Sequence, residues 1–155
     1  MWDDSKVMRW GVLIAAAIIV VRIVLEQAGV PESICLIFGV AWLYFIFPVL
    51  FAVGIRVRND ASPYKRLLKD IFLFLIYTRV MVMVTYMLAY VFNWSAQRFA
   101  YPGGNVGENV SALSGILLIP LRNLLIWVVM AGIIGIIIGS IALLLTRKAS
   151  KPVPA

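Results

Sequence analysis

The sequence predicts an all-α, polytopic membrane protein with four transmembrane helices and both termini cytoplasmic. Three observations carry this expectation. The 155 residues are 63% hydrophobic and 14% charged, against about 45–50% apolar and about 25% charged in soluble domains, and the mean hydropathy is +1.00. Four apolar runs are each long enough to cross a hydrocarbon core of about 30 Å. Lys and Arg fall almost entirely on one set of connections.

The expected spans are 7–25, 34–55, 71–92 and 124–145, forming a single four-helix domain over 1–155. Backbone groups in lipid must bond within their own segment, so runs of this length are helices. The alternation of barrel strands is absent. The first run is long for a signal peptide and is followed by Arg22 and Glu26, not by a small-residue cleavage site. The connection Glu26–Ser33 is short and holds Gly29 and Pro31, making the first two spans an antiparallel hairpin. The second span carries Phe38, Trp42, Tyr44, Phe45, Phe47 and Phe51, whose default role is packing, and Pro48 is expected to kink it.

Ser62 before Pro63 has the pattern of an N-cap followed by proline at N1, which starts the third helix near Pro63. Residues 93–115 form the one long loop, expected to be extracytoplasmic, with turn signals at Pro102, Gly103, Gly104, Asn105 and Gly107. Residues 117–145 would make about 43 Å of helix at about 1.5 Å per residue. The span proper is therefore set at 124–145, with 111–122 as an interfacial or tilted lead-in. Residues 151–155 read as a short disordered tail.

Orientation follows from the loops. Lys6, Arg9, Arg56, Arg58, Lys65, Arg66, Lys69, Arg147, Lys148 and Lys151 lie on one side, and only Arg98 on the other. The positive-inside rule places the basic side in the cytoplasm, and a bacterial inner membrane is the expected location. Arg56, Arg58, Lys65, Arg66 and Lys69 are expected to meet anionic lipid head groups, at about 1 kcal/mol per charge.

Arg79 is the sharpest candidate. It lies mid-span, where an arginine costs at least about 2.5–3.5 kcal/mol, so it must face protein or a watery cavity. Met83, Tyr86 and Tyr90 share its helical stripe. Arg22 and Arg122 lie toward span ends. Interfacial snorkelling is the expectation for both, with a weak Arg22–Glu26 pair at i, i+4. The alternative is an outer cationic pocket shared with Asn123. Since 7–25, 34–55, 71–92 and 124–145 contain no Asp or Glu, these arginines read as uncompensated. Gly132, Gly135 and Gly139 give the fourth helix a small-residue seam, extended by Ala131, that suits close packing within the chain or against another subunit.

No cofactor or metal is expected. The chain has no histidine, which excludes histidine-liganded haem, an HExxH zinc site and a Ser–His proteolytic pair. Cys35 is the sole cysteine, so no disulfide closes within the chain. No nucleotide-binding fingerprint and no nucleic-acid partner are expected. Two functions remain. The favoured one is a non-catalytic integral membrane subunit or assembly factor, with other membrane subunits or its own copies as partners and Arg79 bonded to backbone or to a partner. The other is a small transporter, channel or lipid- or anion-binding protein, which requires a polar cavity around Arg79.

Overall fold

The computed structural model describes residues 4–100 and 103–147. Pro102 of the loop signals, Lys148 and Lys151 of the terminal basic group, and the tail 151–155 lie outside the described residues. Among the described residues there are helices and connections but no strand.

The chain runs α1 (Asp4–Gln27), a short α2 (Glu32–Cys35), α3 (Leu43–Val57), α4 (Pro63–Val91), a single turn α5 (Gln97–Ala100) and α6 (Ile119–Arg147). Four segments are long and apolar enough to cross a membrane: Ser5–Gln27, Glu32–Val57, Pro63–Val91 and Ser114–Thr146. The protein is therefore an all-α, multi-pass membrane protein. One end of the bundle carries Arg22 and the long loop, and the other carries Arg56 and the connection 58–62.

The second span is interrupted near its start. Its helix α3 continues through Pro48, where proline costs one backbone bond. The break comes earlier, at Gly39. There the backbone is extended at φ −90°, ψ 136°, between two short 3-10 turns, Leu36–Phe38 and Val40–Trp42. A Cβ at Gly39 would stand 3.0 Å from the Leu36 carbonyl oxygen, so a side chain there is tightly constrained.

The fourth span is also longer than expected. A π-helical turn at Ser114–Leu118 leads directly into α6, so the segment through Arg122 is part of one continuous helix. α4 begins at Pro63 with Ser62 in the N-cap position, although the Ser62 hydroxyl makes no capping bond.

α6 packs most extensively on α4 and α3, while α1 lies against α4 and α3 and is the least enclosed span. The core is aromatic. Phe47 stacks on Phe74 at 4.6 Å between centroids, and Tyr44 and Phe51 meet Phe74 edge-on. Trp42 and Phe45, by contrast, are exposed on the side that lipid would cover. The buried Tyr44, Phe47 and Phe51 share one stripe of α3 at i, i+3, i+7 spacing, and Phe45 lies off it.

The glycine seam lies inside the chain. Ala131 is buried, Gly135 faces Ile71 and Pro48, Gly139 faces Leu67, and Gly132 faces Leu75. At the Arg56 end, Arg56 Nε and Nη2 donate to the Leu143 carbonyl at 3.1 and 3.0 Å. Arg66 pairs with Asp70 at 3.2 Å. Arg56 and Arg66, both expected at lipid head groups, thus have partners within the chain, and the side chains of Arg58, Lys65 and Lys69 are exposed.

Candidate functional site: a cationic cavity at the Arg22 end

The long loop is folded rather than loose. Phe99 and Val106 are buried against Ala89 of α4, with Tyr86 and Trp94 around them. Asn105 is fully buried, and its side-chain amide donates to the Tyr86 carbonyl at 2.6 Å and the Gly115 carbonyl at 3.1 Å. These bonds fasten the loop to α4 and to the start of the fourth span. The cap so formed carries α5 over the end of α1, and with it Arg98.

Arg98 Nε lies 2.9 Å from Glu26 Oε1, and Arg22 Nε lies 2.7 Å from the same oxygen. Arg22 Nη2 reaches Glu32 Oε1 at 2.6 Å. Arg22 therefore does not snorkel. It is held between two carboxylates from either side of the first hairpin, and the expectation that it lacks a counter-charge is corrected. That expectation placed Glu26 and Glu32 outside the spans, whereas both are carried by the spanning segments. Burial pushes the Arg98 guanidinium pKa down, and the charge of Glu26 opposes that shift.

Below this cluster, Arg79 is only 6% exposed. Its guanidinium lies 4.8 Å from the Tyr44 ring centre and 4.3 Å from that of Trp127. The Tyr44 hydroxyl lies 3.0 Å from Thr78 Oγ1, which fixes that ring. Such aromatic faces hold a cation without neutralising it. Among the described residues no carboxylate pairs with Arg79, and its Nε is buried without a hydrogen-bond partner.

Arg22, Arg79 and Arg98 all line one cavity of ≈ 370 Å³, walled also by Glu32, Gly39, Tyr86, Asn123 and Trp127. Nη2 of Arg98 is likewise buried without a partner. Three guanidiniums against the carboxylates of Glu26 and Glu32 leave one positive charge in excess. The break at Gly39 brings backbone to the cavity wall and lets Arg22 pass close by, its Nη1 3.9 Å from where a Cβ would stand. Guanidinium forks recognise carboxylate and phosphate oxygens through paired, charge-assisted hydrogen bonds.

The expected contact set is partly gathered here. Arg79, Tyr86 and Asn123 share this cavity, and Arg122 borders a second of ≈ 260 Å³ together with Tyr86 and Asn123. Arg122 is exposed, with Nη2 3.5 Å from the Gly103 carbonyl. Tyr90 does not join them. Its hydroxyl donates to the Val110 carbonyl and its ring packs over Gly115. The expected Arg22–Glu26 pair is present, whereas Arg98, Glu32 and Gly39 are the members that sequence reasoning missed. A glycine interrupting a hydrophobic span was the one available signal.

Compared with known proteins, the chain matches no family model, no curated protein and no solved structure.

Proposed function

We propose that this protein binds a carboxylate- or phosphate-bearing molecule in the cavity at the Arg22 end, with Arg79 as the principal contact. The reading is that of a small anion- or lipid-binding membrane protein rather than an assembly subunit. One observation carries it: Arg79 is buried, held between two aromatic rings, unpaired by any described carboxylate, and set in the wall of a polar cavity. A structural arginine saturated by backbone carbonyls would give no reason for that cavity. The distribution of Lys and Arg supports an orientation with both termini cytoplasmic and the cavity on the extracytoplasmic side of the membrane.

The test is calorimetric titration of inorganic phosphate and of acetate into the purified protein in nanodiscs of zwitterionic lipid. One saturable site per chain is expected for the wild type, and binding weaker by about tenfold or more for Arg79→Met. Heats that are equal for the two proteins would reject the reading.

A further inference from the structure

A second cavity adjoins the first and has the opposite character. It has a volume of ≈ 550 Å³ and is lined by Ala41, Phe45, Ile126, Trp127, Met130 and Ile134, together with Tyr44 and Ala131. It lies between the second span and α6. Phe45, Ile126 and Met130 are exposed there on the lateral, apolar surface of the bundle. Ala41 and Trp127 line both cavities. Tyr44 and Trp127, the two rings that hold Arg79, are both walls of the apolar groove. A cationic chamber and a greasy groove thus meet at one wall, across the guanidinium of Arg79.

A soluble anion uses only the chamber. The adjacency of the two spaces, which share Ala41 and Trp127 as lining, fits a molecule with one charged end and one hydrocarbon end. We infer that the ligand is an anionic amphiphile that enters sideways from the bilayer, its phosphate or carboxylate head on Arg79 and its chain in the groove between the second span and α6. This rests on the anion-binding reading above and adds the ligand class and its route. The charge pattern selects the head, since Arg79 lacks a described carboxylate partner and its Nε has no hydrogen-bond partner. The groove accommodates the tail, which passes to it from lipid of similar apolarity, so selection there rests on fit rather than on transfer out of water. A zwitterionic head would bring a second cation toward Arg22, Arg79 and Arg98 and is disfavoured.

The experiment titrates dodecyl phosphate, inorganic phosphate and dodecylphosphocholine into the purified full-length protein in nanodiscs. Wild type, Met130→Trp and Arg79→Met are compared, with native mass spectrometry to count adducts. Met130 is exposed, so a larger side chain there fills the groove without entering the core; Ile126→Trp serves as an independent second filler. The expected result is one dodecyl phosphate per chain, bound more tightly than inorganic phosphate. Both groove fillers should remove that advantage and leave inorganic phosphate unaffected. Equal affinities for the two phosphates, insensitive to both fillers, would overturn the amphiphile inference while leaving the anion site standing. Binding of dodecylphosphocholine as tight as dodecyl phosphate would overturn it as well, by showing a tail without head selection. If neither phosphate binds, the anion-binding reading fails, and this inference falls with it.

Discussion

The guanidinium carbon of Arg79 lies 4.3 Å from the centre of the Trp127 ring, across the interface between α4 and α6. Contacts of this kind are worth about 2 kcal/mol when desolvated. They hold the cation in place, and its Nε has no hydrogen-bond partner. Replacing Arg79 by Leu removes a buried charge that no described carboxylate compensates, so the variant should melt at the same temperature as wild type or higher. Anion affinity should fall about ten- to a hundredfold, the range of one charge-assisted hydrogen bond at about 1.5–3 kcal/mol. Lysine keeps the charge but lacks the planar fork. Arg79→Lys should therefore regain little of that affinity, and calorimetry on the three proteins decides the matter.

Glu26 holds Arg22 and Arg98 through a single oxygen. Glu26→Gln keeps the shape and deletes the charge, leaving two partly buried guanidiniums facing each other. Breaking a buried pair in this way costs about 3–5 kcal/mol, which thermal melting in detergent will register as a lowered midpoint. In the folded fraction the cavity gains positive charge, so phosphate should bind more tightly than to wild type. Loss of stability and gain of affinity together separate this role from simple structural damage, in which both would fall.

The glycines of α6 are not equivalent. A Cβ at Gly132 meets only Leu75, at 3.6 Å, so Gly132→Ala should be neutral or stabilising by up to about 1 kcal/mol through helix propensity. Gly139 would press on Leu67 at 2.9 Å and Gly135 on Pro48 and Ile71 at 3.3 Å. The double variant Gly135→Leu, Gly139→Leu should force α6 off α3 and α4 and lower the melting midpoint sharply, since overpacking costs about 1–3 kcal/mol per site. An unchanged midpoint would mean that these faces do not meet.

Topology is tested by cysteine labelling in a Cys35→Ala background. Glu108 and Ala61 are exposed on opposite ends of the bundle, whereas Asn105 is fully buried and unsuitable as a probe site. Glu108→Cys should react with an impermeant thiol reagent in intact cells and Ala61→Cys only after permeabilisation. The reverse pattern would invert the orientation.

The four spans were legible because lipid imposes one requirement on every residue of a run, and hydropathy reads it directly. Arg79 was legible for the same reason: a charge stands out where none is tolerated. Its neighbours Tyr86 and Asn123 were reachable from helical spacing and depth. Arg98 was not, because its position depends on a loop whose fold is fixed by the burial of Phe99 and the two bonds of Asn105, which lie between residues 10 and 19 apart in sequence. The pairing of Arg22 with Glu32 depends on the turn between the first two spans. The helix α3 continues through Pro48, and the interruption of the second span at Gly39 had no comparably strong local rule to announce it. At Gly39 the chain, freed of a Cβ, lies extended beside Arg22.

The tight packing of the Arg56 end has a consequence for permeation. A hydrated ion crosses a membrane only along an uninterrupted wet path. Beneath Arg79 the crevice among Tyr44, Phe51 and Phe74 has no room for a water molecule. Beyond it, Gly139 lies against Leu67, and Arg56 fastens α3 to the Leu143 carbonyl. Conduction would require these contacts to part together. The chamber is in this respect a cul-de-sac, closed toward the Arg56 end.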